Sequence, residues 1–90
     1  MDIVRRKYNF RGRVQAVGFR YRSYYAAMSL GLSGWVRNEY DDSVTMEVQG
    51  TEADIASLIS TLQNDHYIRI YEIDVKNIPV DPHEVSFSIR

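Results

Sequence analysis

The chain of 90 residues contains no cysteine and only two histidines. The lack of cysteine excludes disulfides, thiolate zinc sites and a cysteine nucleophile. His66 and His83 do not have the spacing of metal ligands, and we expect both on the surface or in loops. No apolar run reaches the ~18 residues of a membrane span, and the segment MDIVRRKYNF lacks the apolar core of a signal peptide. We therefore expect one cytoplasmic domain over residues 1–90, with no metal, no cofactor and no membrane partner.

The two halves of the chain carry opposite charge, although the net charge is only −1. Residues 1–38 hold eight basic side chains against one acidic, whereas residues 39–90 hold three basic against eleven acidic. Two interpretations stay open. Either the basic residues cluster in space and attract an anion, or the halves interleave and their charges cancel on solvated faces.

Hydrophobic periodicity predicts alternating strands and helices. Five segments read as strands: residues 8–14, 35–36, 44–48, 68–75 and 85–89. Two segments read as helices: residues 19–30 and 55–62. The first six segments, in the order β-α-β-β-α-β, predict an α+β, ferredoxin-like sandwich with an antiparallel sheet and two helices on one face, and residues 85–89 read as a last strand. A change of phase in the fourth strand indicates a bulge near residues 71–72. Residues 39–43 read as a hairpin turn, Gly31 as a helix C-cap and Thr51 as an N-cap.

A short loop, residues 15–19, joins the first strand to the first helix. Backbone N–H groups at such a junction have no partner within the helix and lie at the positive end of its dipole. Gly18 would allow the backbone to approach an anion closely, and Arg20 would direct a planar guanidinium at the same anion. The spacing alone also fits an ordinary turn, because a glycine often precedes a helix.

Two segments resemble the motifs of the acylphosphatase family. GRVQAVGFRYR, residues 12–22, resembles G-R-V-Q-G-V-G-F-R, and GWVRN, residues 34–38, resembles G-x-V-x-N. The likeness extends from about Tyr8 to near Ile89. It implies the fold predicted above and the metal-free hydrolysis of acyl phosphates to a carboxylate and inorganic phosphate.

The resemblance also implies roles for individual residues. Arg20 matches the arginine that binds the phosphoryl group, and Asn38 matches the asparagine that positions the attacking water. Phosphoryl oxygens would be held by the backbone amides of Gln15, Ala16, Val17, Gly18, Phe19 and Arg20. The partner implied is a small-molecule acyl phosphate, with inorganic phosphate as product and inhibitor, and the chain is expected to be a monomer.

Two positions depart from the family pattern. Ala16 replaces a loop glycine, and residues 39–42 (Glu-Tyr-Asp-Asp) replace a turn that usually contains Asp-Gly. A loop that turns successive N–H groups towards one anion usually needs a residue at positive φ, where a Cβ atom costs roughly 1–2 kcal/mol. We therefore predict a positive φ at Ala16 and a reduced activity.

Two other functions are compatible with this fold. One is a non-catalytic regulatory domain that keeps the phosphate loop. The other is a small RNA-binding module, whose usual pattern is K/R-G-F/Y-G/A-F-V-x-F/Y. The segment RGRVQAVGF does not supply that pattern, and a pI near 6.1 is low for a nucleic-acid binder. We therefore expect no nucleic-acid partner.

Overall fold

The computed structural model of the chain describes residues 2–90. Its elements are β1 (Val4–Arg13), α1 (Phe19–Leu30), β2 (Ser33–Asn38), β3 (Val44–Gly50), α2 (Glu52–Gln63), β4 (Arg69–Ile78) and β5 (Phe87–Ile89). The five strands form one sheet in the order β4-β1-β3-β2-β5. Both helices pack against each other and against this sheet. The predicted ferredoxin-like α+β arrangement is confirmed, with β5 added at one edge of the sheet.

The sheet is mixed, so the prediction of an antiparallel sheet is wrong for its last strand. The pairs β1–β3, β1–β4 and β2–β3 are antiparallel, whereas β5 runs parallel to β2. Because β4 already occupies the edge beside β1, the chain crosses to the opposite edge and enters it in the direction of β2. The junction is fixed by the N–H of Gly34, which donates to the Ser86 carbonyl at 3.0 Å. Val85, predicted to belong to this strand, lies before it and is 89% exposed.

The core lies between the sheet and the helices. Along β1, Tyr8 and Phe10 are buried, whereas Lys7 and Arg11 are exposed, as the alternating pattern predicts. The other large, fully buried apolar side chains come from the sheet, from both helices and from the adjoining loops: Val14, Phe19, Val36, Val44, Met46, Val48, Ile55, Leu58, Leu62 and Ile68. Each such side chain stabilises the fold by about 1.5–3 kcal/mol relative to its exposed state. This core holds the helices against the sheet and so fixes the ends of β1 and β2 and the N-terminus of α1, where the candidate site lies.

The C-terminus of α1 and the N-terminus of α2 lie where the sequence predicts. Gly31, at a φ of 70°, is the C-cap of α1. The Thr51 side chain caps α2 by accepting a hydrogen bond from the Asp54 N–H at 3.2 Å. Neither helix within residues 2–90 is long and apolar enough to cross a membrane.

The predicted bulge in the fourth strand is confirmed. Arg11 pairs with Glu72 and Gly12 pairs with Ile70, which leaves Tyr71 as the extra residue. Beyond the bulge the register places Arg13 directly opposite Arg69. Two arginines therefore lie side by side at the end of β1, next to the loop that leads into α1.

Candidate active site

A small cavity lies where the loop between β1 and α1 (residues 14–18, the β1–α1 loop) meets the end of β2. Its volume is about 130 Å³. It is lined by Val14, Ala16, Gly18, Phe19, Arg20, Tyr21 and Asn38. Two sequence motifs that are distant along the chain thus line one cavity, which we call the loop cavity.

The N-terminus of α1 faces this region without a side-chain cap. Its N-cap residue is Gly18, at a φ of 79° and a ψ of 17°, and no acidic residue lies in the first turn. The N-terminus of α2, by contrast, has the Thr51 cap and two acidic residues, Glu52 and Asp54, in its first turn. The positive end of the α1 dipole is therefore not neutralised by its own helix, which favours an anion there.

Gly18 is required by its backbone conformation and by its surroundings. A left-handed φ disfavours any residue with a Cβ atom. A Cβ atom at this position would also lie 3.3 Å from Nε of Arg22. That guanidinium is held in place, because it donates to the Val17 carbonyl at 3.3 Å and pairs with Asp65 at 3.1 Å.

Most of the basic residues in the first half of the chain are neutralised by acidic residues from the second half. Carboxylates lie within salt-bridge distance of Arg5, Arg6, Arg11, Arg22 and Arg37. The halves therefore interleave, as the second interpretation of the charge pattern holds. Among the described residues 2–90, no carboxylate pairs with Lys7, Arg13 or Arg20. Two of these three, Arg13 and Arg20, flank the β1–α1 loop.

Asn38 carries a buried polar atom without a hydrogen-bond partner. Within residues 2–90, its Oδ1 is the only buried side-chain oxygen or nitrogen in that state. Such an atom disfavours the fold by about 1–3 kcal/mol, and unpaired groups of this kind are a mark of functional sites. Asn38 also lines the loop cavity, so the unpartnered oxygen belongs to a residue of the cavity wall.

The motif glycine at the other end of β2 supports the position of Asn38. Gly34 has a φ of 137°, and a Cβ atom there would collide with the Glu47 carbonyl oxygen of β3. The absence of a side chain lets β2 and β3 pair closely from Gly34 to Asn38.

The side chain of Gln15 connects the β1–α1 loop to the hairpin turn that follows Asn38. Its Nε2 donates to the carbonyl of Glu39 at 2.8 Å and to the carbonyl of Ser43 at 2.9 Å. The Glu39 N–H donates to the same Ser43 carbonyl at 2.9 Å. We call this set of bonds the Gln15 clamp. The sequence indicates a role only for the backbone amide of Gln15, because nothing in the spacing shows that its side chain reaches a turn 24 residues away.

The turn itself, residues 39–43, is stabilised by its acidic side chains. The Asp41 carboxylate accepts hydrogen bonds from the hydroxyl and the amide of Ser43, and these lower the pKa of Asp41. The guanidinium of Arg37 and then the hydroxyl of Thr45 lower the pKa of Glu39. Asp42 adopts a φ of 71°, a left-handed conformation that favours glycine. Aspartate tolerates this region better than most residues, which explains how the turn forms without glycine.

Ala16 has a φ of 60°, so the predicted positive φ is confirmed. Ala16 and Asp42 are the only non-glycine residues at positive φ among residues 2–90. A side chain at this φ costs roughly 1–2 kcal/mol relative to glycine. The β1–α1 loop therefore holds local strain at a residue that lines the loop cavity.

The predicted anion-binding residues do not all line one side of the loop. Ala16, Gly18, Phe19 and Arg20 line the loop cavity, whereas Gln15 and Val17 line a second cavity together with Ala16. The assignment of six backbone amides to phosphoryl oxygens stays a prediction. Both histidines are exposed and lie outside the helices and strands, as predicted. Among residues 2–90, no group of three or more His, Cys, Asp or Glu side chains is arranged to hold a metal ion.

Comparison with known proteins identifies the family. The family model described as Acylphosphatase matches residues 6–89, which is almost the whole chain. The chain belongs to the acylphosphatase family. An acylphosphatase from Clostridium beijerinckii is 39% identical over 80 residues, covering 88% of this chain and 89% of the relative. Fold and sequence thus support acylphosphatase function, that of a hydrolase acting on small acyl phosphates.

Solved structures show the same fold. The acylphosphatase from Bacillus subtilis superposes with a TM-score of 0.88 at 30% identity, covering 97% of this chain and 98% of the other. Full-length HypF, in its phosphate- and nucleotide-bound form, matches with a TM-score of 0.88 at 32% identity. That match covers 99% of this chain but 12% of HypF. The fold of this chain therefore occurs both as a short chain and as a small part of a larger protein.

Proposed function

We propose that residues 1–90 act as one acylphosphatase domain whose loop cavity binds the phosphoryl group of an acyl phosphate. Arg20 and the backbone amides of residues 15–20 hold the phosphoryl oxygens, and Asn38 orients the attacking water. The observation that carries the proposal is the unpartnered Oδ1 of Asn38, buried at the cavity that Arg20 lines. An acceptor oxygen without a partner is suited to receive a proton donor, and water is the donor that hydrolysis requires.

The charge around the cavity supports the same assignment. Arg20 has no carboxylate partner among the described residues, and the α1 N-terminus is not neutralised by its own side chains. A phosphoryl group supplies the missing negative charge, and the planar guanidinium binds two of its oxygens at once. Positioning and charge stabilisation are the main contributions of a protein to phosphoryl transfer.

The proposed reaction does not depend on a metal or a general acid. Water attacks phosphorus in line, the bond between phosphorus and the acyl oxygen breaks, and a carboxylate leaves with the bonding electron pair. The conjugate acid of that carboxylate has a pKa of about 4, so it departs without being protonated. One proton of the water passes to a phosphoryl oxygen, in the role that the family resemblance implies, and inorganic phosphate is released.

A simple assay tests this proposal. We expect steady hydrolysis of benzoyl phosphate that is unchanged in excess chelator, and competitive inhibition by inorganic phosphate, because product and substrate share the loop cavity. Loss of activity in chelator, restored by a divalent cation, would contradict the metal-free reaction. Phosphate binding without any turnover would identify instead the non-catalytic phosphate-binding domain.

Ala16→Gly is expected to raise kcat/KM for benzoyl phosphate by about tenfold. The substitution relieves backbone strain at a φ of 60°, and a redirected loop amide that contributes about 1.4 kcal/mol more to the transition state corresponds to a tenfold rate. We propose that the parent chain is slow because this strain misdirects a loop amide. Inorganic phosphate should bind more tightly to the variant, with the fold unchanged by circular dichroism.

The control is Asp42→Gly, which introduces glycine at the other non-glycine residue with a positive φ, outside the loop cavity. Its φ of 71° belongs to the hairpin turn, and its side chain accepts no hydrogen bond within residues 2–90. A gain confined to the Ala16 variant supports the proposal. Equal gains in both variants, or none in either, would show that Ala16 does not limit the rate.

Three further expectations accompany the proposal: a monomer, a cytoplasmic location and no nucleic-acid partner. They rest on the sequence alone and stay predictions.

A further inference from the structure

A second and larger cavity lies on the other side of the β1–α1 loop. Its volume is about 530 Å³. It is lined by Arg13, Gln15, Ala16, Val17, His66, Tyr67 and Arg69. We call it the basic cavity, because its lining contains two arginines and no acidic residue.

The two arginines of the basic cavity lack an anionic partner. Arg13 on β1 and Arg69 on β4 are direct partners in the sheet register. Both are exposed, and neither forms a salt bridge with any described residue between 2 and 90. Like charges directly opposite each other in a sheet repel. A bound anion would relieve this repulsion and would match the fork geometry of both guanidinium groups.

Other basic residues near the basic cavity or on the same strands have an acidic residue close by, unlike Arg13 and Arg69. Arg22, whose guanidinium lies 5.3 Å from the centre of the Tyr67 ring, is neutralised by Asp65 at 3.1 Å. Lys7 and Lys76 form a second register pair on the same two strands, and the cavity beside them contains Asp74. The basic cavity differs from both places because it contains no carboxylate.

The position of the basic cavity relates it to the proposed reaction. Ala16 lines both the loop cavity and the basic cavity, and no other residue does. The two cavities are therefore separated by one small residue of the loop. A substrate whose phosphoryl group lies on one side of Ala16 has its acyl group close enough to extend to the other.

We propose that the basic cavity is a subsite for the acyl group of substrates that carry a second anion, a carboxylate or a phosphate, on that group. The proposal rests on the proposed function, because it assigns the acyl half of the substrate whose phosphoryl half occupies the loop cavity. Arg13 and Arg69 bind the second anion, and the ring of Tyr67 covers the acyl chain. A neutral acyl group does not form the contacts with the two arginines and therefore binds less tightly.

The test compares ligands that differ in one group and cannot be hydrolysed. Phenylphosphonate is titrated calorimetrically against its carboxyphenyl and phosphonophenyl derivatives, each as the meta and the para isomer. We expect at least one derivative to bind about tenfold more tightly than phenylphosphonate, as one or two hydrogen bonds between charged groups provide. Whether the carboxylate or the phosphonate binds more tightly distinguishes the two kinds of second anion.

The variants separate local recognition from long-range charge. In Arg13→Gln/Arg69→Gln the advantage of the derivative over phenylphosphonate should disappear, while phenylphosphonate itself still binds in the loop cavity, which neither side chain lines. The control is Lys7→Gln/Lys76→Gln, which removes the same charge from the same two strands in the same register. It should keep the full advantage of the derivative.

Each outcome decides one proposal. Equal affinity of the parent chain for all the ligands, or equal losses in both double variants, would overturn the acyl subsite. Absence of benzoyl phosphate hydrolysis, with the difference in affinity intact, would overturn the hydrolase function and leave the basic cavity as a site for the second anion. Melting temperatures of the variants confirm that both double variants are folded.

Discussion

In the Arg20→Ala variant, kcat/KM for benzoyl phosphate is expected to fall by roughly 10²–10⁴-fold. The reason is the loss of two charge-assisted hydrogen bonds to the phosphoryl oxygens, each contributing about 1.5–3 kcal/mol. In the proposed site the guanidinium contacts the phosphoryl group both before and during the reaction, so phosphate affinity and turnover should fall together. Steady-state kinetics and calorimetric titration with inorganic phosphate measure the two losses.

Two further variants define the role of Arg20. Arg20→Lys should recover little activity, because an ammonium is a point charge and cannot bind two oxygens in one plane. Lys7→Ala removes the same charge from an exposed residue of β1 that does not line the loop cavity, and its activity should match that of the parent. A large loss in Lys7→Ala would mean that net charge, and not the geometry of Arg20, explains the effect.

The second large effect is expected from Asn38→Ala. We expect kcat to fall by about 10²-fold, as when a reacting group loses its orientation. Phosphate affinity should change much less, because in the proposed site Asn38 orients the water and does not bind the phosphate. The free energy of unfolding should fall only by the small amount that the lost packing contributes, because the variant removes a buried oxygen without a hydrogen-bond partner.

This combination of results distinguishes a functional residue from a structural one. A structural asparagine would lose stability on truncation, and its activity would recover at lower temperature, where the folded fraction is higher. Thermal unfolding followed by circular dichroism therefore accompanies the kinetics. Equal losses of phosphate affinity in Asn38→Ala and Arg20→Ala, with both variants folded, would show that the two roles are wrongly divided.

Local features of the fold were predictable because they depend on neighbours along the chain. The bulge at Tyr71 follows from a change of phase between Ile70 and Ile73. The caps at Gly31 and Thr51 follow from the conformation or hydrogen bond that those residue types provide. The positive φ at Ala16 was predicted from the demands of the loop and the family pattern together.

Features that depend on contacts between distant segments were not predictable in this way. The parallel direction of β5 follows from which edge of the sheet is free, and alternation within the strand carries no information about that. Val85 fits the alternation of the last strand, yet it is exposed and lies outside the pairing with β2. The side-chain bonds of Gln15 and the opposition of Arg13 and Arg69 likewise depend on register and on a turn far along the chain.

The Gln15 clamp has a consequence for how the site operates. It fixes the loop that carries Ala16 to the turn that follows Asn38 through bonds that exist within the protein itself. The two halves of the site are thus preorganised by folding, and binding of a substrate does not have to order them. A site of this kind needs no lid that closes over the substrate, so its turnover is expected to depend on the chemical step and on product dissociation rather than on a closing motion.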